Sequence, residues 1–311
     1  MIYKAKTIDD KIIDLGTPLE VTLNQAEDIP ADDLELKFLC CGKIRELKEL
    51  YVIKNNKNIF SGIVDAQKVS IDSSGIFLNL ISRSKVALLL DNEAIPQTYY
   101  VPSLLNIFNR HIKPYGFDFI IGDMRTFSNE FIVSKGMSEW EVLESFCADY
   151  LRVYPKINYD GTINATGKFM GNNILFSNVK SGVHYSGIYE NLNRYEIYSE
   201  VDVKATSVDS YSTIVKNDDV INKGISRRRL LNASNNVKTP ALCGELLISK
   251  SIKNSYSICL NCPGNLDIHI GDKASLYDPI LLNIDNLVVS EIKYTLNKKG
   301  ENTKVILKKE A

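Results

Sequence analysis

Apolar and charged residues alternate in Leu34-Glu35-Leu36-Lys37-Phe38. A period of two puts Leu34, Leu36 and Phe38 on one face of a strand and predicts a sheet with one buried side. Residues 51–53 and 60–64 flank Asn55-Asn56-Lys57-Asn58, which has the turn chemistry of a hairpin. A second hairpin is predicted where Val69 and Ile71 lead into Asp72-Ser73-Ser74-Gly75 and Ile76, Leu78 and Leu80 resume the alternation. Successive strands joined by short turns make residues 1–90 an antiparallel barrel or sandwich.

The period changes after residue 90. Pro102 suits a first helical position, and Leu104, Leu105, Phe108 and Ile112 recur at helical spacing until Pro114 and Gly116. Ser138-Glu139-Trp140-Glu141 is a capping box, in which the Ser138 hydroxyl and the Glu141 carboxylate each satisfy a backbone N–H. Trp140, Leu143, Cys147, Tyr150 and Leu151 form the apolar stripe of the helix it opens. Asp160-Gly161 turns the chain between Ile157 and Ile163 as a short hairpin. Residues 91–187 therefore read as a small α+β domain.

Strand patterns return over residues 188–311. Tyr195, Ile197, Tyr198, Val201 and Val203 begin them, and Thr239-Pro240 opens a helix with Thr239 as N-cap and Leu242, Leu246 and Leu247 facing inward. Strands are predicted over 256–260, 274–277, 286–296 and 303–308, each bounded by Gly, Pro or Asn. The fold class is α+β, mainly β: two strand-rich lobes with a small α+β domain inserted between them.

Composition narrows the function classes. The chain has 311 residues and a formal net charge of -1. Residues 1–90 carry 12 Lys+Arg against 13 Asp+Glu, residues 91–187 carry 8 against 10, and residues 188–311 carry 17 against 15. No part has the basic excess that grips phosphates, so specific nucleic-acid binding is not expected. No stretch approaches the roughly 20 apolar residues that span a bilayer, and the charged start MIYKAKTIDDK is unlike a signal peptide. No membrane association and assembly in the cytoplasm are expected. The six cysteines then read as reduced thiols.

The candidates for chemistry are few. Cys259 and Cys262 form a C-x-x-C without the second pair or the two histidines of a structural zinc site, and in a strand their sulfurs would point to opposite faces. His111, His184 and His269 are widely separated, with His111 placed to cap carbonyls near a helix end. Asp209, Asp218 and Asp219 could pair as carboxylates but fit a solvated turn better. Arg227-Arg228-Arg229 suits salt bridges across a subunit contact more than phosphate. Trp140 reads as core. No catalytic, cofactor-binding or metal-binding residue is assigned, and no enzymatic activity is expected.

The run from Ser82 to Gln97, Ser-Arg-Ser-Lys-Val-Ala-Leu-Leu-Leu-Asp-Asn-Glu-Ala-Ile-Pro-Gln, resembles the signature of XkdQ/YqbQ-like baseplate hub proteins of contractile tails. So do Pro-Tyr-Gly-Phe at 114–117, Lys-Gly-Met-Ser-Glu-Trp-Glu-Val-Leu at 135–143, and Cys-Pro-Gly-Asn at 262–265 followed by Gly271-Asp272-Lys273. The resemblance runs nearly the whole chain. It implies two tube-like antiparallel β-barrel lobes, residues 1–90 and 188–311, the second with a packed helix, around the inserted domain 91–187. It implies a homotrimeric ring that adapts the sixfold tail tube to a threefold spike and lines the channel of a phage or an R-type bacteriocin. The partners it implies are a tail tube or tube-initiator protein, the spike, neighbouring baseplate and LysM-type tail proteins, and a tape-measure protein passing the channel. The rival readings are a tail-associated peptidoglycan hydrolase and a glycan-binding tail module.

Overall fold

The structure, a computed structural model, describes residues 1–42, 44–158, 160–168, 171–205, 209–233 and 240–309. The first lobe contains β1 (Ile2–Thr7), β2 (Ile12–Asp14), β3 (Glu20–Ala26), β4 (Ile29–Cys40), β5 (Leu47–Lys54), β6 (Lys57–Asp72) and β7 (Gly75–Ser84). Leu34, Leu36 and Phe38 are buried as their alternation requires, and Phe38 meets Leu78 across the β4–β7 pair. Asn55 and Asn56 both adopt positive φ, +50° and +61°, as a two-residue turn that follows the sheet twist needs. The two predicted hairpins share β6, a single strand of 16 residues whose register shifts between Val64 and Ala66. Its far end carries Ile71 at 76% exposure, so the apolar alternation there marks no buried face.

The middle of the chain packs around one core running from Val86 to Ala165. It contains α1 (Ala87–Asp91), β8 (Gln97–Tyr99), α2 (Leu104–Ile107), β9 (Ile120–Ile121), β10 (Phe131–Val133), α3 (Glu139–Phe146), β11 (Lys156–Ile157) and β12 (Ile163–Asn164). The helix expected after Pro102 is shorter and differently phased. Ser103 is its N-cap, accepting from the Asn106 N–H at 3.2 Å, and α2 widens into a π turn over Phe108–Ile112 before Gly116 ends it at φ +83°. Leu104, Ile107 and Phe108 face the core, while Leu105 is half exposed. The capping box is present: the Glu141 N–H donates to Ser138 Oγ (3.2 Å) and the Ser138 N–H to Glu141 Oε2 (2.7 Å). Trp140, Leu143, Cys147 and Tyr150 are buried along it, and Leu151 packs at its margin. The 160–161 turn joins β11 to β12 as predicted.

The second lobe contains β13 (Asn173–Ser177), β14 (Gly187–Leu192), β15 (Glu200–Lys204), β16 (Thr213–Lys216), α4 (Asp218–Asn222), β17 (Arg228–Asn232), α5 (Pro240–Asn254), β18 (Tyr256–Pro263), β19 (Lys273–Asp278), β20 (Leu282–Asn297) and β21 (Gly300–Lys309). β13 lies before residue 187 in the chain but pairs in parallel with β19. Tyr195 does not open a strand. It sits in a 3-10 turn over Arg194–Glu196, 76% exposed, and the strand starts at Glu200. The N-cap expected at Thr239 lies outside the described residues. On α5 the buried positions are Gly244, Ile248 and Ser251, with Leu242, Leu246 and Leu247 only half buried. Gly244 sets this phase: a Cβ there would stand 2.8 Å from Val215 and 3.3 Å from Val203, so its absence lets the helix lie close on the three-stranded sheet β16-β15-β17.

The two lobes have separate hydrophobic cores yet share one sheet of 13 strands. β20 makes the seam. One of its edges pairs with β21; the other pairs with β19 through Val288 and then with β3 from Glu291 to Leu296. A register shift between Val289 and Glu291 re-phases the strand. Leu287, Val289 and Ile292 enter the second core, and Tyr294 and Leu296 enter the first.

Candidate functional site

The residues singled out by sequence do not converge. Cys262 is fully buried in the second core and burial pushes its thiol up to about 11, while Cys259, three residues away on β18, is half buried. Among the described residues no three His, Cys, Asp or Glu side chains group as a metal site. Asp218 and Asp219 lie in the first turn of α4, and Asp209 pairs with Lys204 at 3.1 Å. The arginine run spends two of its members within the chain. Arg227 donates to the Arg194 carbonyl at 2.5 Å and lies over the Tyr195 ring, and Arg228 lies 3.5 Å from Asp202 and 3.8 Å from Glu200.

His111 is the one candidate in a polar cluster, and it is not a helix-end cap. Its Nδ1 is 2.5 Å from Glu139 Oε2, its Nε2 is 2.9 Å from the Tyr99 hydroxyl, and the Tyr115 hydroxyl donates to Glu139 Oε1 at 3.1 Å. Burial lowers the His111 pKa more than Glu139 raises it. With 1% of its surface exposed and both ring nitrogens engaged, the imidazole has no access to a substrate. The cluster ties β8, the π turn and the start of α3 together. Glu139 gave no sequence signal of this role, because its position in the first turn of a capped helix already accounts for an acidic residue.

Two further features were missed. Glu27, in the β3–β4 turn with 6% of its side chain exposed, binds Lys156 of β11 at 2.7 Å and Lys253 of α5 at 2.8 Å. Burial pushes its carboxyl up, but the two ammonium groups outweigh that and hold it below the usual range. This ion cluster joins the first lobe, the middle core and α5 at one point. The second feature is the outline of the sheet. Its ends are β14 and β2, each hydrogen-bonded on one side only among the described residues. β14 has six residues against three in β2, and it exposes Tyr189 (61%) and Leu192 (64%). The outer edge of β13 is instead covered by residues 182–183, through the Val183 N–H to the Leu175 carbonyl (2.8 Å) and the Ser177 N–H to the Val183 carbonyl (3.0 Å). An open, regular edge offers unpaired backbone groups to another strand. Among the described residues the side chains singled out by sequence assemble no shared site, while β14 leaves one edge of the sheet open.

No protein-family model and no curated protein matches the sequence. Solved structures do match the fold. The 43 kDa tail protein of prophage MuSo2 from Shewanella oneidensis superposes with a TM-score of 0.78 at 15% identity, covering 99% of this chain and 97% of that one. The tail protein from Neisseria meningitidis MC58 gives 0.76 at 13% identity, covering 99% and 96%. A component of the type VI secretion system of E. coli, described as structurally similar to the T4 bacteriophage tail proteins gp27 and gp5, gives 0.57 at 6% identity, covering 94% and 74%. The chain shares the fold of the two prophage and bacterial tail proteins over 99% of its length.

Proposed function

We propose that this protein is a structural baseplate hub of a contractile tail, carried by a phage or an R-type bacteriocin. In this reading three copies form a ring that adapts the sixfold tail tube to the threefold spike and lines the central channel. The observation that carries it is the single sheet spanning two separately cored lobes, in a fold that tail proteins share over nearly their whole length. Three copies with two similar lobes each would present six similar surfaces to a tube above and a threefold face below. The open edge of β14 would pair with, or pack on, the next copy. Residues 1–90 and 188–311 would serve as the tube lobes and 91–187 as the inserted domain, with β13 lent to the second lobe. Spike, tube or tube-initiator protein and neighbouring baseplate proteins would be its partners, within a particle assembled in the bacterial cytoplasm.

Light scattering on the purified protein, alone and with its co-expressed spike, tests this. A trimer in either state is the expected result. A persistent monomer that cleaves cell wall or binds glycan would favour a tail-associated hydrolase or a receptor-binding module instead.

A further inference from the structure

A crevice of about 1340 Å³ lies where the two lobes, the middle core and α5 meet. It exceeds the roughly 300–1,000 Å³ of small-molecule pockets, which suits a length of polypeptide better. Its walls carry Ile29, Phe119 and Tyr154, exposed at 57%, 59% and 44%, beside the more buried Trp140 and Ile268.

Charge gives the crevice a sign. Eight carboxylate side chains line it against five lysines. Each of those lysines is already engaged. Lys54 donates to Asn265 Oδ1 and the Leu266 carbonyl (both 3.0 Å), Lys85 donates to the Gly116 carbonyl (2.5 Å), Lys156 and Lys253 hold Glu27, and Lys250 is 3.7 Å from Asp28. Asp118 and Glu144 stand beyond ion-pair distance of any described residue; burial pushes the Glu144 carboxyl up, and the more distant Lys250 and Lys156 only partly oppose this. Two lining residues also have buried polar atoms without a partner, Asn158 Oδ1 and the Tyr294 hydroxyl. Tyr294 is 4% exposed; Asn265 and Glu301 are its polar neighbours, but neither meets hydrogen-bond geometry. Those two atoms are shut off from solvent, so what a docked chain could meet in the cleft is the carboxylates of Asp118 and Glu144 beside the exposed Phe119 and Tyr154.

We propose that this crevice docks a cationic, partly apolar segment of a partner polypeptide, whose basic side chains meet Asp118 and Glu144 while its apolar ones cover Phe119 and Tyr154. The inference rests on the crevice alone and stands apart from the hub reading.

The test is fluorescence anisotropy of the full chain with a dye-labelled short peptide alternating lysine and leucine, and with its glutamate-for-lysine counterpart. Saturable binding of the lysine peptide alone is expected. The double variant Asp118→Asn/Glu144→Gln should weaken it about tenfold, since it removes one exposed and one half-buried carboxylate from the crevice wall. Ser249→Trp, placed on the crevice wall, should weaken it as much with an unchanged melting temperature. Absence of saturable binding, equal binding of the glutamate peptide, or binding indifferent to these variants would overturn the proposal. Self-association that Ser249→Trp abolishes, with no peptide bound, would assign the crevice to a second copy and overturn it too.

Discussion

Glu27 and Asp149 are both buried carboxylates, and their surroundings give them opposite effects on stability. Glu27 faces two lysines. Glu27→Gln leaves both ammonium groups without their shared partner and should cost about 3 kcal/mol, the scale of breaking a buried ion pair; urea unfolding measures it. Because the folded Glu27 carboxyl is held below its ordinary value, its contribution is complete above the carboxylate range and is lost as pH falls through the folded value. Asp149 has a buried Oδ2 with no hydrogen-bond partner, and burial raises its pKa from 3.8 to about 6. The unfolded chain therefore loses this proton first, and stability falls as pH rises from 3.8 through 6. Asp149→Asn should raise the melting temperature near neutral pH and leave it unchanged at about pH 4. A gain of equal size at both pH values would show that charge is not the cause. Neither residue was legible as special in the sequence, because Lys156 and Lys253 stand 129 and 226 residues from Glu27.

At the scale of elements, local pattern carried far. The capping box at Ser138, the turns at 55–56 and 160–161 and the buried face of β4 depend on neighbours two to four residues apart, and each is formed as read. The failures have physical causes as well. Leu105 fits a regular helical period, but α2 lasts four residues before widening, which changes the phase. Leu242, Leu246 and Leu247 look like the packed face of α5, yet the closest approach is made at Gly244, where the helix needs the absence of a side chain. The extra residue in β20 is the element on which the lobes depend. Deleting Ser290 should restore regular pairing with Ile292, Tyr294 and Leu296 still facing the cores, because Val289 opposite Leu307 and Ile292 opposite Val305 keep their partners, and should remove the local bend that carries β20 from β19 to β3. A lowered melting temperature is the expected result, from strain where the straightened strand must still reach both lobes; a variant as stable as the parent would contradict this account of the bulge.

For the whole molecule, the two cores, the shared sheet and the Glu27 cluster make the lobes one continuous scaffold with an open edge at β14. Tyr189→Lys with Leu192→Lys places charge on that edge, the device by which proteins keep edge strands apart. The melting temperature should stay within a few degrees of the parent, since both side chains are exposed. If the proposed ring closes through this edge, the trimer proposed for the protein with its spike should give way to a monomer in light scattering. Retention of the trimer would move the ring contact away from β14.

The sequence by itself determined the kinds of elements, their approximate limits, the mainly β class and the near-neutral charge. These follow from side-chain period, turn chemistry and composition, all of which act over a few residues or none. Only the tertiary structure decided that the lobes share β20 as a seam, that His111 is clamped by Glu139 and Tyr99, and that a carboxylate-rich crevice opens where the units meet. Each of these joins residues distant in the chain, and no short-range pattern records which of many compatible strands or charges will meet.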